Sequence, residues 1–145
     1  MVKLISITWL ILLSSTALAA NDLTFSKQLS DTISLVRSGE SINARTDAAM
    51  HLAEMTRGKN SKKVDDKTIA TIASLLDTPE DSVRLEVAAC LGHFGSRARF
   101  TAPKLEAILA EMDCVQAEMS SPATIRPALR KMGIKPPERK CPSTD

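Results

Sequence analysis

The sequence predicts an all-α domain behind an N-terminal export segment, and three observations support this prediction. Apolar residues recur at spacings of three and four along five stretches, as in helices with one buried face. After residue 20, no stretch alternates apolar and polar residues over a useful length, so we expect no strands. Two stretches, 45–55 and 84–94, align with each other at an offset of 39, which indicates an internal repeat.

The N-terminal segment, 1–20, has the organisation of a secretory signal peptide. Lys3 precedes a largely apolar run from Leu4 to Leu13, and small residues continue to Ala20. This run is about half of the roughly 20 residues that a membrane-spanning helix needs. We therefore expect cleavage near Ala20 or Asn21 and a mature protein that is periplasmic or secreted and not membrane-embedded. An uncleaved membrane anchor is the alternative.

The composition argues against a nucleic-acid partner. The chain has 19 basic and 17 acidic residues, and loss of Lys3 with the signal peptide would leave 18 against 17. Trp9 would be lost as well. The aromatic residues that remain would be Phe25, Phe94 and Phe100. Proteins that bind nucleic acids usually have a large basic excess and aromatic side chains for stacking, so we expect no nucleic-acid partner.

The first two helices are predicted by apolar residues that return to one face every three or four positions. The first helix ends near Ser38, and the second begins after Ser41 and stops at Gly58. Their apolar faces hold Phe25, Leu29, Ile33 and Val36 in the first helix and Ala48, Leu52 and Met55 in the second. The polar run RGKNSKK, from Arg57 to Lys63, follows and is predicted to be a loop. We term these residues the basic segment.

The third and fifth helices share one spacing, i, i+3, i+4 and i+7, which is the stripe of a helix with one buried side. The positions are Ile69, Ile72, Ala73 and Leu76 in the third helix and Leu105, Ile108, Leu109 and Met112 in the fifth. The fourth helix is predicted to start with Thr78 as its cap and Pro79 at its first position, and to end at Gly95. Its apolar face holds Val83, Val87, Cys90, Leu91 and Phe94.

The C-terminal part has a weaker pattern. Residues 123–133 predict one more short helix, interrupted by Pro127. The helical domain is therefore expected to span residues 21–134. The tail, 135–145, is too rich in proline and charge for regular structure.

The chain contains three cysteines. Cys90 lies on the apolar face of the fourth helix, where a thiol is buried and inert. Since a pair of cysteines in an exported protein usually oxidises, Cys114 and Cys141 are the candidate disulfide. Three free thiols are the alternative.

The internal repeat extends over more than one helix. Placing the two similar stretches over each other aligns Arg45 with Arg84, and the third and fifth helices superpose best at an offset of 36. The connection that holds the basic segment is therefore expected to be longer than its counterpart after the fourth helix. A degraded third copy aligns the stretch that ends at Gly133 with the one that ends at Gly95. A period of about 40 residues built from two helices is typical of solenoids.

The residues from Asp77 to Leu109 resemble a HEAT repeat; their sequence is DTPEDSVRLEVAACLGHFGSRARFTAPKLEAIL. They contain an acidic turn, then Val-Arg, an Ala-rich first helix that ends with Leu-Gly, and a proline that opens the second helix. A weaker form of the pattern covers 45–76. The resemblance implies a short, HEAT-like, right-handed α-solenoid of antiparallel helix pairs, in the armadillo-like helical class.

The same resemblance implies roles for individual residues. In HEAT repeats, small residues of the first helix let neighbouring helices approach closely. The matching residues here are Ala88, Ala89 and Gly92. The recurrent arginine of the family matches Arg84, which is expected to reach back to an acidic side chain of the turn, Asp77 or Asp81. Arg45 is expected to have the same structural role.

No motif for catalysis, a cofactor or a metal is present in the sequence, which lacks H-E-x-x-H, C-x-x-C and G-x-S-x-G. Cys90 and His93 lie on neighbouring turns of one helix, but a nucleophilic thiol needs a lowered pKa and burial raises it. His93 is instead expected at a helix end, where the dipole favours a cation. We therefore expect a non-enzymatic protein without cofactor or metal.

Surface cations are the remaining candidates for function. A short solenoid binds proteins through the ridge of its helices and through loops that differ between repeats. The basic segment is such a loop, and the turn after the fourth helix is its equivalent. The candidate partner-binding residues are Arg57, Lys59, Asn60, Lys62, Lys63, Arg97 and Arg99. An ordinary solvated loop is the alternative interpretation.

These features together predict an exported protein-binding module that acts as an adaptor or assembly factor in the bacterial envelope. The alternative is a periplasmic immunity or inhibitor protein that caps a secreted cell-wall-degrading effector, because such proteins are similar in export, size and architecture. The partner would be an envelope protein or a secreted hydrolase. A homodimer is a further alternative.

Overall fold

The computed structural model describes residues 8–115 and 122–138, with side chains for 23–112 and 124–138. The described residues form helices and no strand, which confirms the predicted all-α class. The α-helices are α1 (Thr8–Ser38), α2 (Ile42–Met55), α3 (Asp66–Ser74), α4 (Asp81–His93), α5 (Ala102–Val115) and α6 (Pro122–Lys131). Short 3₁₀ helices span Gly58–Lys63, Leu75–Asp77 and Gly95–Thr101. No helix in the described part of the chain is both long and apolar enough to cross a membrane.

Side-chain caps define the starts of α2 and α3. Ser41 Oγ accepts a hydrogen bond from the Ala44 backbone N–H at 3.1 Å, so α2 begins where the sequence predicts. Asp65 Oδ1 accepts from the Thr68 backbone N–H at 2.8 Å at the start of α3. Each cap satisfies a first-turn donor that has no partner within its own helix.

The start of α4 differs from the prediction. The helix begins at Asp81 with Glu80 as its N-cap, so Thr78 and Pro79 both precede it. Thr78 does not cap the helix because its hydroxyl donates to the Glu80 carboxylate, which also pairs with Arg45 of α2. These contacts lower the pKa of Glu80, the Thr78 hydrogen bond most of all. The pair has a cost, since Arg45 Nε is buried without a hydrogen-bond partner among the described residues.

Helix α6 continues through Pro127, so the predicted interruption is wrong. A proline has no backbone N–H, so one hydrogen bond of the helix is lost, and its ring crowds the carbonyl four residues earlier, here that of Ala123. Ala123 is the second residue of α6, so the disturbance is confined to the start of the helix. Burial of the face that points to the core offsets this cost. The buried residues of this face are Ile125, Ala128 and Leu129.

The helices α1, α2, α4 and α6 pack in chain order, α1 on α2, α2 on α4 and α4 on α6. Their buried faces are rich in small residues, namely Ala48, Ala49, Ala53, Ala88, Gly92 and Ala128. At Gly92 the approach is close, because a Cβ there would lie 3.0 Å from Ala128 Cα and 3.1 Å from Ala128 Cβ. The role that the resemblance implies for Gly92, a close approach of neighbouring helices, is therefore confirmed.

The predicted apolar stripes form the centre of the core. Side chains with at most 1% exposure include Ile69, Ile72, Leu76, Val83, Val87, Cys90, Leu91, Leu105 and Leu109. The first helix contributes Leu29, Ile33 and Val36, whereas Phe25 from the same predicted face is only partly buried. Each helix thus buries the face that its apolar spacing predicts.

Three helices end in turns with the same backbone conformation. Gly58, Gly95 and Gly133 follow α2, α4 and α6 and have φ values of +63°, +58° and +77°. A residue with a Cβ is strained at such angles, so glycine is favoured at each turn. The three glycines recur at a nearly constant interval along the chain. The predicted alignment of Gly133 with Gly95 thus pairs two residues of equal conformation.

Arg84 makes the structural contact that the resemblance implies. Its Nε donates to the Thr78 carbonyl at 2.6 Å. Its Nη1 lies 3.5 Å from an Asp81 carboxylate oxygen and 3.4 Å from one of Glu111. Arg84 therefore joins the turn before α4 to α5, and of the two expected acidic partners it contacts Asp81.

We predict that Gly92→Ala destabilises the protein, although alanine is the better helix former. The added methyl group would meet the Ala128 backbone, so α6 has to move away from α4. The free energy of unfolding, measured by urea denaturation, should fall by about 1–3 kcal/mol. The matched control is Ala70→Gly at an exposed position of α3, which tests helix propensity alone and should cost about 1 kcal/mol. A Gly92→Ala protein that is as stable as the parent would contradict the close contact.

Candidate protein-binding surface

The basic segment is folded, and the prediction of a loop is wrong. Residues Gly58–Lys63 form a 3₁₀ helix in which the Ser61 hydroxyl donates to the Gly58 carbonyl at 2.8 Å. The connection from α2 to α3 covers 56–65, and that from α4 to α5 covers 94–101. The connection with the basic segment is therefore longer, as the two repeat offsets predict.

A single arginine from the second connection holds the basic segment in place. Arg97 donates from Nη1 to the Ser61 carbonyl at 3.2 Å and from Nη2 to the Val64 carbonyl at 2.6 Å. Its Nε and Nη2 also donate to Asp66 Oδ1 at 3.0 Å and 2.6 Å. We term these contacts the Arg97 tether. Arg97 was a candidate for partner binding, but its guanidinium is occupied within the chain and positions other residues.

Most of the other predicted residues are exposed. Four of the exposed cations, Arg57, Lys59, Lys62 and Arg99, are termed the cationic surface. Within the part of the chain that the structure describes, none of these four forms an ion pair with a carboxylate. Asn60 is half-buried. Lys63 is exposed as well, but its Nζ lies 5.9 Å from the centre of the Phe25 ring, so we treat it apart from these four residues.

The structure adds two residues that the sequence did not single out. Phe100 follows Arg99 and is 59% exposed, which gives the cationic surface an aromatic neighbour. Lys131, at the end of α6, lines an open cavity of about 550 Å³ together with Arg57 and His93. Lys131 could have been predicted from the alignment of the third repeat copy, because that alignment places the end of α6 over the end of α4.

His93 is not the cation that its position at a helix end predicts. Its pKa is lowered, first because the side chain is half-buried and then because Lys131 and Arg57 are nearby positive charges. The Thr56 hydroxyl lies 3.4 Å from His93 Nδ1. The lowered pKa favours the neutral imidazole, since burial and the two cations outweigh the hydrogen bond with the Ala53 backbone, which raises the pKa.

Cys90 is a buried thiol, as predicted. Burial raises its pKa to about 12, although a hydrogen bond with Thr56 opposes the change. The Sγ atom lies 3.2 Å from Thr56 Oγ1, between α2 and α4. The predicted disulfide between Cys114 and Cys141 lies outside the residues whose side chains the structure describes, so it stays a prediction. In the described residues, no group of three His, Cys, Asp or Glu side chains is arranged to hold a metal ion.

Comparison with known proteins finds no match: no family model, no curated protein and no solved structure is significantly similar to this chain. The resemblance to HEAT repeats therefore stays a prediction from the sequence.

We predict that Arg97→Gln loosens the basic segment while the helices stay folded. Loss of the tether removes the donors to the Ser61 and Val64 carbonyls, so residues 58–64 should exchange amide hydrogens about tenfold faster or more. Hydrogen exchange measured by mass spectrometry reports this change. The matched control is Arg99→Gln, which removes the same charge from an exposed side chain two residues away. Equal exchange in Arg97→Gln and the parent protein would contradict the tether.

We predict that the protein loses stability as the pH falls from about 7, in part through His93. In the unfolded chain a histidine has a pKa near 6.5, and in the folded protein the pKa of His93 is lower. The unfolded state therefore binds more protons below pH 6.5, and the free energy of unfolding decreases until the pKa of folded His93 is passed. Urea denaturation at several pH values should show a weaker pH dependence for His93→Gln. An unchanged dependence would contradict the lowered pKa.

Proposed function

We propose that this protein is an exported, non-enzymatic protein-binding module with HEAT-like repeats, and that it acts as an adaptor or assembly factor in the bacterial envelope. The observation that carries this proposal is the cationic surface. Its basic side chains have no carboxylate partner in the described residues, and the Arg97 tether presents three of them on a folded segment. Charges that are held in position favour a partner of complementary charge.

Three features support the HEAT-like part of the proposal. Glycines with positive φ end α2, α4 and α6 at a nearly constant interval along the chain. The same three helices pack on each other in chain order. A 3₁₀ helix also follows both α2 and α4. Similar turns at regular intervals are expected where each repeat contacts its neighbours.

Export is supported by the composition of residues 1–20, which we propose to be a signal peptide that is removed near Ala20. The protein would then reside in the periplasm or outside the cell. The part of α1 that packs into the core lies after this point. Its buried apolar residues are Leu29, Ile33 and Val36.

The partner that complements this surface is a protein with exposed carboxylates. Arg57 and Phe100 belong to residue classes enriched in interfaces, and Phe100 provides apolar area beside Arg99. Lys59 and Lys62 are typical of an interface rim, where charges guide association and are screened by salt. We therefore expect binding that weakens as the ionic strength rises.

We predict that Lys62→Glu weakens capture of the partner from an envelope extract, with the purified protein as bait. Reversing an exposed charge that has no ion pair in the described residues should reduce the bound amount about fivefold or more without changing the thermal stability. The matched control is Lys27→Glu on α1, where the side chain is 79% exposed and its only ion pair among the described residues is with Asp31. Arg97 is unsuitable for this test because its reversal would break the tether.

The captured proteins distinguish the two envelope roles. Several partners that all require Lys62 support an adaptor or assembly factor. A single cell-wall hydrolase that is inhibited by the protein would instead support the immunity role. If the parent protein and Lys62→Glu capture the same proteins in equal amounts, binding through the cationic surface is contradicted.

A further inference from the structure

A groove of about 540 Å³ separates α1 from α3. Its floor is apolar, since Leu29 and Ile33 of α1 and Val64 before α3 are at most 7% exposed. The lining residues of α1 lie between 25 and 37, so the groove is retained if residues 1–20 are removed. This volume lies within the range of pockets that hold specific ligands, roughly 300–1,000 Å³.

Both walls of the groove carry hydroxyl groups. One wall has Ser26, Ser30 and Ser34 of α1, and the other has Thr68 and Thr71 of α3. The Ser34 hydroxyl donates to the carbonyl four residues earlier at 3.1 Å, and the Thr71 hydroxyl does the same at 3.0 Å. Thr68 donates to the Asp65 carboxylate at 3.0 Å. Because these hydrogens are used within the chain, the oxygen atoms can accept hydrogen bonds from a ligand.

The spacing of the serines matches an extended peptide. Every fourth residue of a helix is displaced by about 6 Å along the axis, and every second residue of an extended chain by about 6.6 Å. An extended backbone has N–H groups that need acceptors, whereas the N–H groups of a helix are mostly bonded internally. The distance along α1 from residue 25 to residue 37 is about 18 Å, which corresponds to about five or six extended residues.

The two ends of the groove differ in charge. At one end, Lys63 and Asp65 bring opposite charges. At the other end, Arg37 donates to the Ser74 hydroxyl at 3.2 Å, and it forms no ion pair with a carboxylate of the described residues. A carboxylate on the ligand would complement Arg37, because arginine binds carboxylates through paired N–H groups.

We propose that this groove binds an extended peptide segment of another protein, with apolar side chains at alternate positions on the floor and a carboxylate against Arg37. The segment comes from a different protein because this chain has no stretch after residue 20 that alternates apolar and polar residues. Neither its own tail nor a second copy therefore supplies the pattern that the groove accepts. The site is separate from the cationic surface, since Lys59, Lys62 and Arg99 do not line it.

The test is selection from a phage-displayed library of random peptides of about nine residues, longer than the groove. The expected result is enrichment of sequences with alternating apolar residues and an acidic residue at one end. Ser30→Phe, which fills the groove from an exposed position, should weaken binding of a selected peptide about tenfold or more by fluorescence anisotropy. Gln28→Phe is the matched control, because it adds the same ring to an exposed position of α1 outside the groove. Thr71→Phe narrows the groove from the other wall. It replaces Ser30→Phe in the binding measurement if Ser30→Phe proves unstable.

Replacing the acidic residue of the selected peptide by its amide tests the contact with Arg37. The amide peptide should bind the parent protein more weakly, and Arg37→Gln should bind both peptides equally. No enrichment, enrichment of sequences with helical spacing, or equal binding by the parent and Ser30→Phe would overturn the proposal. Binding of a partner through Lys62 is measured separately, so failure of the groove leaves the test of the cationic surface intact.

Discussion

The contact between the backbones of α4 and α6 at Gly92 is the constraint on which the rest of the fold depends. A side chain at position 92 would crowd Ala128, since a Cβ there would lie 3.0 Å from the Ala128 Cα. Small residues also allow α2 and α4 to pack closely, since Ala49 of α2 and Ala88 of α4 are fully buried. The C-terminal ends of α2, α4 and α6 lie at one edge of the molecule, since Arg57, His93 and Lys131 line the same cavity.

That edge explains why the exposed cations are tolerated. The C-terminal end of a helix has a partial negative charge, so arginine and lysine are favourable there. The half-buried His93 lies among the same charges and responds by losing its proton more easily. The Arg97 tether fixes the conformation of the connection that carries Lys59 and Lys62. The tether thus holds in position the positive charges that we propose to bind a partner.

The apolar stripes and the helix ends could be predicted from the sequence because they depend on local spacing and on glycine. The start of α4 could not, since the Thr78 hydroxyl is used by Glu80, which Arg45 holds from another helix. The basic segment is a folded element because of hydrogen bonds from Arg97, which belongs to the connection after α4 and is distant in sequence. No pattern within the segment shows that contact.

Other features of the candidate sites also depend on tertiary structure. The approach of Lys131 to His93 follows from how α6 packs on α4. The groove lies between α1 and α3, where the side chains of the two helices leave a space unfilled, and an unfilled space leaves no periodic signal in a sequence. The serine spacing on α1 becomes informative only when the threonines of α3 are placed opposite to it.

The measurement that tests the central contact most directly is a nuclear Overhauser effect between Gly92 Hα and the Ala128 methyl group, in a sample with labelled alanine methyls. A Cβ at Gly92 would lie 3.1 Å from the Ala128 methyl carbon, so we expect a strong effect between these two groups. If the Ala128 methyl instead shows contacts only within α6 and none to Gly92, the close packing of α4 and α6 is contradicted, and with it the common edge on which the cationic surface is built.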